Sequence, residues 1–305
     1  MKNKIGYCCI CVGINEGRAK KDLISVNRGM VKKTFDTKGL SYVSELVILN
    51  LQDTLKILDY NIKNDIKIYR LSSDSFPWFT HYSFSDLPKF DTIKVLLQKI
   101  GKIIKDNDIR VSYHPGPFNV LGSENPSVVD KTIDELNKHD ELMDLMELDQ
   151  STYYPINIHI NTTKPTREKA AQRFINGFKL LSDSCKKRLT VENDDKLSQY
   201  SVKMLYDMVH TKIGIPIVFD SFHHKFNSCG LSEDQAINLA ISTWKTKPLC
   251  HHSSSKRIYE DGSAKSESHS DYIYEKFNDY GKSVDVELEC KMKDLALKKY
   301  ISDFT

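Results

Sequence analysis

One pattern recurs along this chain, and it is clearest in the stretch Ile215-Pro216-Ile217-Val218-Phe219-Asp220-Ser221-Phe222-His223. An apolar run rich in Ile, Val and Phe is typical of a buried strand, and this run ends at a carboxylate and an imidazole. The same transition occurs in five further blocks, which are Tyr113-His114-Pro115-Gly116, Ile158-His159-Ile160, Val191-Glu192-Asn193-Asp194, Cys250-His251-His252 and Glu287-Leu288-Glu289. Parallel strands that present such side chains at the same ends would bring them together at one polar centre.

Strand-like runs alternate with helical patterns along the whole chain. The strand-like runs are Ile5 to Val12, Ile66 to Leu71, Ile109 to His114, Ile156 to Ile160, Arg188 to Glu192, Ile215 to Asp220, Pro248 to His251 and Val284 to Glu289. Apolar residues recur at three- and four-residue spacing in Leu46 to Ile62, Thr92 to Lys105, Val128 to Met146, Arg167 to Ser182, Val202 to His210 and Glu233 to Thr243. This alternation predicts an α/β fold, a single (β/α)8 TIM-barrel domain over residues 1–305, with the polar centre at the carboxyl ends of the strands. A doubly wound open sheet is the alternative, but no Gly-rich dinucleotide motif follows the first strand.

Two connections are longer than the others. The first unit carries a polar insertion from Asn15 to Gly39, and the seventh carries a Ser/Lys-rich loop from Ser253 to Ser270. Loops that follow barrel strands overhang the site, so both can reach it. The basic pairs Lys20-Lys21 and Lys256-Arg257 in these loops could contact phosphates, although such pairs are usually solvated.

Composition limits the class of protein. With 305 residues, of which 40% are hydrophobic and 28% charged, the chain can bury a large core and is not expected to be disordered. The net charge of +3 is too small to indicate nucleic-acid binding by itself. The seven cysteines are odd in number and mostly scattered, which predicts free thiols in a reducing, intracellular compartment. The apolar run from Ile5 to Ile14 is interpreted as the first strand rather than a signal peptide, and no stretch is long enough to span a membrane.

The six blocks together predict a metal centre. A single His at a strand end is usually a hydrogen-bonded structural residue, but six consecutive strands with His, Asp or Glu at their ends favour ligands. Imidazole nitrogen combined with carboxylate oxygen suits Mn²⁺, Zn²⁺ or Mg²⁺. More than one ion is expected, and Glu192, central in the series, could bridge two of them. Because consecutive strand side chains point in opposite directions, His223 and His251 are preferred as ligands to their neighbours His224 and His252.

The order and spacing of these blocks resemble the UV damage endonuclease family. The upstream stretches Tyr69-Arg70-Leu71-Ser72-Ser73-Asp74 and Gly6-Tyr7 extend the resemblance over roughly Gly6 to Lys291. It implies a TIM barrel related to apurinic endonucleases and xylose-isomerase-like enzymes. It also implies a hydrolase that nicks damaged double-stranded DNA 5′ of cyclobutane dimers, 6-4 photoproducts and some other lesions such as abasic sites, leaving a 3′-hydroxyl and a 5′-phosphate. The implied cofactor is a cluster of two to three divalent ions, with Mn²⁺ expected first and Mg²⁺ or Zn²⁺ as alternatives, in a monomer.

The resemblance further implies roles for individual residues. Metal binding is implied for His114, His159, Glu192, Asp220, His223, His251, His269 and Glu289. Catalytic roles are implied for Glu192 and Lys291, contacts with DNA or the lesion for Tyr7, Pro117 and Phe118, and supporting roles around the ligands for Asp74 and Asn193. Two positions depart from the family pattern, since Pro117-Phe118 stands where Gln-Tyr is common and Leu249 stands where some members carry a lysine that can be carboxylated. A modified-lysine metal ligand is therefore not expected here.

Two other functions remain as alternatives at this point. A metal-dependent sugar isomerase or epimerase could use the same scaffold, but its pocket would be small and closed, whereas the block from Tyr113 to Asn119 favours an open groove with an aromatic wedge. A protein that binds damaged DNA without cutting it is the second alternative, and the complete ligand set argues against it.

Overall fold

The computed structural model describes residues 3–305 and contains one parallel eight-stranded sheet. Its strands are β1 (Ile5–Cys8), β2 (Ile68–Arg70), β3 (Arg110–Ser112), β4 (Ile156–Ile158), β5 (Leu189–Glu192), β6 (Ile217–Asp220), β7 (Leu249–His252) and β8 (Asp285–Leu288). The order across the sheet is β3-β2-β1-β8-β7-β6-β5-β4, so the first and last strands of the chain are neighbours. Each strand lies within or overlaps a run that the sequence predicts.

The sheet closes on itself between β3 and β4. A parallel bridge joins Tyr113 to Ile156 at this junction. The Tyr113 N–H donates to the Pro155 carbonyl (2.9 Å), and the Asn157 N–H donates to the Tyr113 carbonyl (2.9 Å). The predicted (β/α)8 TIM barrel is therefore confirmed.

Helices connect each strand to the next, and two of them, α8 and α10, lie in the loops at the carboxyl ends of the strands. They are α1 (Lys32–Lys63), α2 (Phe90–Asp106), α3 (Pro126–Leu145), α4 (Arg167–Leu180), α5 (Asp183–Arg188), α6 (Val202–Leu205), α7 (Thr211–Ile213), α8 (Ser221–Phe226), α9 (Glu233–Ile241), α10 (Lys256–Tyr259) and α11 (Lys293–Phe304). A π-helical turn, Tyr206–His210, joins α6 to α7. All six segments with predicted helical spacing are helical. No helix within residues 3–305 is long and apolar enough to cross a membrane.

The packing of α2 illustrates how these helices attach to the barrel. Ile93, Leu97, Ile100 and Ile104 recur at three- and four-residue spacing, and all four side chains are buried. Removing each such side chain from water contributes on the order of 2 kcal/mol. The spacing therefore fixes which face of the helix meets the strands.

The two long connections contain more structure than their composition predicts. In the first, α1 already begins at Lys32, and Gly39 interrupts it with a left-handed φ of 61° that glycine adopts without strain. In the seventh, α10 follows directly on Ser255, and an antiparallel bridge pairs Ser255 with His269. The seventh loop therefore folds back toward the strand ends.

An ion pair closes the amino end of the barrel interior. Arg110, at the start of β3, and Asp285, at the start of β8, are both fully buried, and Arg110 Nη1 lies 3.0 Å from Asp285 Oδ2. Lys247 Nζ lies 2.6 Å from the other oxygen of Asp285. The buried Asp285 carboxylate at this end is therefore paired through both of its oxygens.

Candidate metal centre

The carboxyl ends of six strands bring imidazoles and carboxylates together. The side chains concerned are those of His114, His159, Glu192, Asp220, His223, His251 and Glu289. They form three groups whose ligand atoms lie within 4.8 Å of one another, namely His114–Glu192–His251, His159–Glu192–His223 and Asp220–His251–Glu289. Glu192 and His251 each belong to two groups, so the three groups form one continuous centre.

Glu192 is the hub of this centre. Its fully buried carboxylate ends β5, and its Oε2 lies 3.1 Å from His114 Nε2, 3.0 Å from His251 Nδ1 and 3.7 Å from His159 Nε2. Its Oε1 lies 3.4 Å from His223 Nδ1. Four imidazoles from four different loops and strands therefore surround one carboxylate.

The close packing of imidazoles and carboxylates shifts the pKa values of several groups in the centre. Burial alone would raise the pKa of Glu192, but the charges of His251 and His159 hold that pKa well below its ordinary value. Burial would lower the pKa of His159, but the carboxylates of Glu192 and Asp194 raise it to about 10. The pKa of His114, for which burial is the largest influence, is lowered. In the absence of metal, His159 therefore carries a proton at neutral pH and His114 does not.

Neighbouring groups orient the imidazoles. His223 donates from Nδ1 to the Asn193 carbonyl (2.9 Å), so its Nε2 is free to act as a ligand. Asn193 is itself fixed, because its Nδ2 donates to the Asp220 carbonyl (3.0 Å) and its Oδ1 accepts from the Asp220 N–H (2.9 Å). His159 places Nδ1 3.2 Å from Asp194 Oδ1. A carbonyl or carboxylate behind each ring is the usual arrangement around metal-binding histidines.

The donor set fits a divalent metal ion. Within residues 3–305, Glu192 Oε1 and Asp220 Oδ2 are buried without a hydrogen-bond partner. Unpaired buried oxygens are unfavourable, and a bound cation would compensate them. His114 Nδ1 lies 3.3 Å from the Pro115 carbonyl and Nε2 lies 3.1 Å from Glu192 Oε2, so the tautomer that donates from Nδ1 turns the Nε2 lone pair toward Glu192. Two electron-pair donors that face each other at this distance suit a shared cation.

Comparison with known proteins connects this geometry to a family. Residues 3–305 match the family model described as UV-endonuclease UvdE. The chain belongs to the UvdE family. Relatives include the UV DNA damage endonuclease of Clostridium perfringens strain 13, 34% identical over 98% of this chain and 70% of that protein. The UV DNA damage endonuclease of Bacillus cereus strain B4264 is 33% identical over 84% of this chain and 81% of that protein.

Solved structures agree with the UvdE assignment. The crystal structure of SacUVDE matches with a TM-score of 0.84 at 28% identity, covering 99% of this chain and 97% of that one. A D-psicose 3-epimerase from Clostridium cellulolyticum H10 matches with a TM-score of 0.52 at 12% identity, covering 77% of this chain and 78% of that one. At that identity the epimerase shares the fold alone. The family resemblance predicted from the sequence blocks is confirmed.

The structure separates the paired histidines of this UvdE-family chain. His251 joins two of the ligand groups. His252 instead places Nδ1 2.7 Å from the Ser221 hydroxyl and Nε2 2.9 Å from the Glu275 carbonyl, away from the centre. His224 packs its ring on Phe219, with centroids 5.6 Å apart. The alternation argument applies to His251 and His252, which lie in β7. For His223 and His224 its premise is wrong, because both lie in helix α8, where consecutive side chains point about 100° apart.

His269 lies at the margin of the centre. Its Nδ1 is 3.8 Å from Glu289 Oε2 and 3.3 Å from the Ser253 hydroxyl. Its ring packs edge-on against Phe222, with centroids 5.4 Å apart. Among the described residues it belongs to none of the three ligand groups, so its metal role stays a prediction.

Other residues with predicted roles lie in different surroundings. Pro117 and Phe118 are exposed in the loop after β3, and Phe118 is 89% exposed. Lys291 is exposed just after β8. Asp74 is exposed and lines a cavity of about 380 Å³ together with Trp78 and Glu135.

Tyr7 differs from its predicted role. Its side chain is fully buried, its hydroxyl donates to Asn61 Oδ1 in α1 (2.8 Å), and its ring lies 5.3 Å from that of Tyr69. In strand β1 the tyrosine faces the outer helix rather than the barrel mouth. A direct contact between Tyr7 and DNA is therefore not supported by this geometry.

A polar layer beneath the candidate ligands was not predicted from the sequence. Its members are Arg70, Ser112, Asn157 and Glu287, all buried. Asn157 Nδ2 donates to Glu192 Oε2, and the Ser112 hydroxyl donates to Glu287 Oε1. Three of these positions precede a strand-end ligand by two residues, as Ser112 precedes His114. The two-residue period of a strand, which puts such pairs on the same face, was the signal that could have found them.

Proposed function

We propose that this protein is a metal-dependent endonuclease that incises double-stranded DNA 5′ of UV photolesions. Membership of the UvdE family and the curated relatives named UV DNA damage endonuclease support DNA as the substrate. The observation that carries the metal dependence is the buried Glu192 carboxylate surrounded by four imidazoles at the open end of the barrel. Cyclobutane dimers and 6-4 photoproducts are the proposed lesions, with abasic sites as a further substrate.

The metal ions would be held by the three groups that meet at Glu192 and His251. A cluster of two to three ions, with Mn²⁺ as the first candidate, is compatible with three overlapping sets of nitrogen and oxygen donors. Bound divalent ions would supply positive charge to the scissile phosphate and make water a better nucleophile. The protein's own contribution is orientation, because the Asn193 carbonyl accepts from the ring of His223 and the Asp194 carboxylate lies beside the ring of His159. Hydrolysis would leave a 3′-hydroxyl and a 5′-phosphate.

The loop after β3 is proposed to contact the lesion. Gly116, Pro117 and Phe118 are exposed directly beyond the ligand His114. A cavity of about 780 Å³, lined in part by Pro117, Phe118 and His81, opens beside them. A photodimer lowers the cost of unstacking its bases, and an exposed aromatic ring can stack on a base that has left the helix. Phe118 supplies that ring, and Pro117 restricts the backbone that carries it.

A role for Lys291 in phosphate binding is also proposed. Its side chain is exposed two residues after Glu289, close in sequence to the centre. A solvated lysine at this place could approach a DNA phosphate without disturbing the ligands. Substitution of Lys291 by Met should weaken DNA binding while metal binding stays at the wild-type level.

The test uses a duplex with one cyclobutane dimer and the protein loaded with Mn²⁺. We expect a nick on the 5′ side of the dimer, and we expect Glu192→Gln to reduce its rate by at least about 100-fold. Glu45→Gln, which changes an exposed glutamate on α1, is the matched control and should nick at the wild-type rate. Equal nicking of undamaged duplex would contradict lesion-directed cleavage. Unchanged nicking by Glu192→Gln would contradict the metal assignment.

A further inference from the structure

A buried arginine occupies one corner of the centre. Arg70 ends β2, and its side chain is 8% exposed. Its Nη2 lies 2.6 Å from Glu289 Oε1, 2.7 Å from Glu287 Oε2 and 2.9 Å from His251 Nε2. Its Nε donates to Glu287 Oε2 (2.8 Å). One nitrogen of the guanidinium is therefore surrounded by two carboxylates and an imidazole.

These three neighbours are the types of donor that bind divalent metal ions. Glu289 and His251 already belong, with Asp220, to one of the ligand groups. Glu287 precedes Glu289 by two residues, is fully buried and lies 3.4 Å from His251 Nε2. The guanidinium thus fills the space that a cation shared by Glu287, Glu289 and His251 would need.

The charge on Arg70 is permanent. Arginine stays protonated in proteins, so it neutralises Glu287 whatever the metal content of the centre. Arg70 Nε and Nη2 lie 2.8 Å and 2.7 Å from Glu287 Oε2, so this carboxylate is paired with the guanidinium. The remaining oxygen of Glu287 accepts from the Ser112 hydroxyl. Both oxygens of Glu287 are therefore already engaged.

We propose that Arg70 is a built-in cation that excludes a divalent ion from the corner formed by Glu287, Glu289 and His251. Arg70 is then a positioning residue, since it acts through Glu289 and His251, and exchangeable ions are confined to the donors nearer Glu192. This inference rests on the proposed metal-binding function and specifies which part of the centre that function uses. In this proposal Glu287 pairs with Arg70 and does not bind a metal ion.

The number of bound ions tests the proposal. Wild-type protein and variants are saturated with Mn²⁺, freed of excess metal and analysed for equivalents bound per chain. Arg70→Ala is expected to bind one equivalent more than wild type, because the vacated corner offers three donors. Arg70→Lys, which retains a cation, is expected to bind the wild-type number. Arg110→Ala removes a second buried arginine, at the opposite end of the barrel, and should also bind the wild-type number.

A conservative variant keeps the test decisive if Arg70→Ala does not fold. Glu287→Gln should bind the same number of ions as wild type, because Glu287 is not a ligand while Arg70 is present. Loss of an ion in Glu287→Gln would overturn the proposal, as would an unchanged count in a folded Arg70→Ala. A gain of one ion in Arg110→Ala would overturn it as well, since the gain would not be specific to the corner. Failure of the proposed nuclease function would instead show as absent nicking by wild type, whatever the metal counts.

Discussion

The two ring nitrogens of His159 face different carboxylates, and the closer of them is Asp194. Asp194 Oδ1 lies 3.2 Å from His159 Nδ1, while Glu192 Oε2 lies 3.7 Å from Nε2 on the other side of the ring. Asp194 is itself held by the Tyr200 N–H, which donates to Oδ2 (3.3 Å). The position of this ring in the centre therefore depends on a residue that belongs to no ligand group.

Removal of the Asp194 charge should weaken metal binding. We expect Asp194→Asn to reduce the affinity for Mn²⁺ by about 10- to 100-fold, the usual effect of losing the partner behind a histidine ligand. The pKa of His159 should fall in the metal-free variant, because one of the two carboxylates that raise it is gone. Calorimetry measures the affinity and NMR of the imidazole measures the pKa. Asp195→Asn, one residue further along the chain, is the control and should leave both values unchanged.

Metal affinity should increase with pH. His159, whose pKa in the metal-free protein is raised to about 10, must release its proton before a nitrogen can bind a cation. The apparent affinity for Mn²⁺ should therefore rise about tenfold per pH unit for each proton displaced between pH 6.5 and 8.5. Titrations at several pH values measure the slope. A constant affinity across this range would contradict a protonated His159.

The stability of the metal-free protein should show the opposite trend. The pKa of His159 is higher in the folded chain than in the unfolded one, so its protonation stabilises the fold. This contribution is complete below about pH 6.5, the ordinary His value, and is lost as the pH rises toward 10. Chelator-treated protein should therefore require less urea to unfold at pH 9.5 than at pH 6.5. His159→Gln should make this part of the pH profile shallower, and a dependence due to His251 should remain, because Glu192 raises the pKa of His251 to about 10 despite its burial.

The aromatic ring of Phe118 should matter for the lesion and not for the fold. Because the side chain is 89% exposed, Phe118→Ala should leave the unfolding free energy within about 0.5 kcal/mol of wild type. Loss of one base-stacking ring should weaken binding to a dimer-containing duplex by roughly 5- to 100-fold, equivalent to about 1–3 kcal/mol. Leu180→Ala, at the far end of α4 and 66% exposed, is the control for loss of an exposed apolar side chain. Equal binding by Phe118→Ala and wild type would rule out stacking on this ring.

The ion pair between Arg110 and Asp285 at the amino end of the barrel should contribute to stability and not to metal binding. Asp285→Asn leaves Arg110 buried without its charged partner, and breaking such a pair costs about 3–5 kcal/mol. Urea unfolding should show this loss, while the Mn²⁺ equivalents bound by the folded variant should not change. Asp59→Asn removes an ion pair with Lys63 whose side chains are both more than half exposed, and should change stability by less than about 1 kcal/mol. Similar losses of unfolding free energy in Asp285→Asn and Asp59→Asn would contradict the argument that the buried ion pair stabilises the fold more than the exposed one.

The barrel and most of the centre could be predicted because both depend on local patterns. Each strand is an apolar run with its own boundaries, and the ends of parallel strands meet at one rim. Side chains at these strand ends therefore meet however the loops are folded, and they include those of His114, Glu192 and Asp220. The choice of His251 over His252 needed only the alternation of side chains along a strand.

The remaining features depend on how distant strands meet. Arg70 on β2 reaches Glu287 on β8 across the intervening β1, a contact that only the closed sheet and its register create. Tyr7 could not be assigned to the inside or the outside of the barrel until the alternation in β1 was fixed by packing against α1. The position of His269 depends on the bridge to Ser255, which pairs residues fourteen apart within one loop. Local spacing does not determine any of these three.

The junction between β3 and β4 has a mechanical consequence. The bridge between Tyr113 and Ile156 closes the barrel at this junction. His114 directly follows Tyr113 in the chain, and His159 lies shortly after Ile156. Both imidazole rings lie beside the Glu192 carboxylate. Metal ions bound by these two histidines and Glu192 would therefore hold β3 and β4 together at the junction. Metal loading would then slow amide exchange of Tyr113 and Asn157 more than that of backbone elsewhere in the sheet. The metal centre would therefore also stabilise the closure of the barrel.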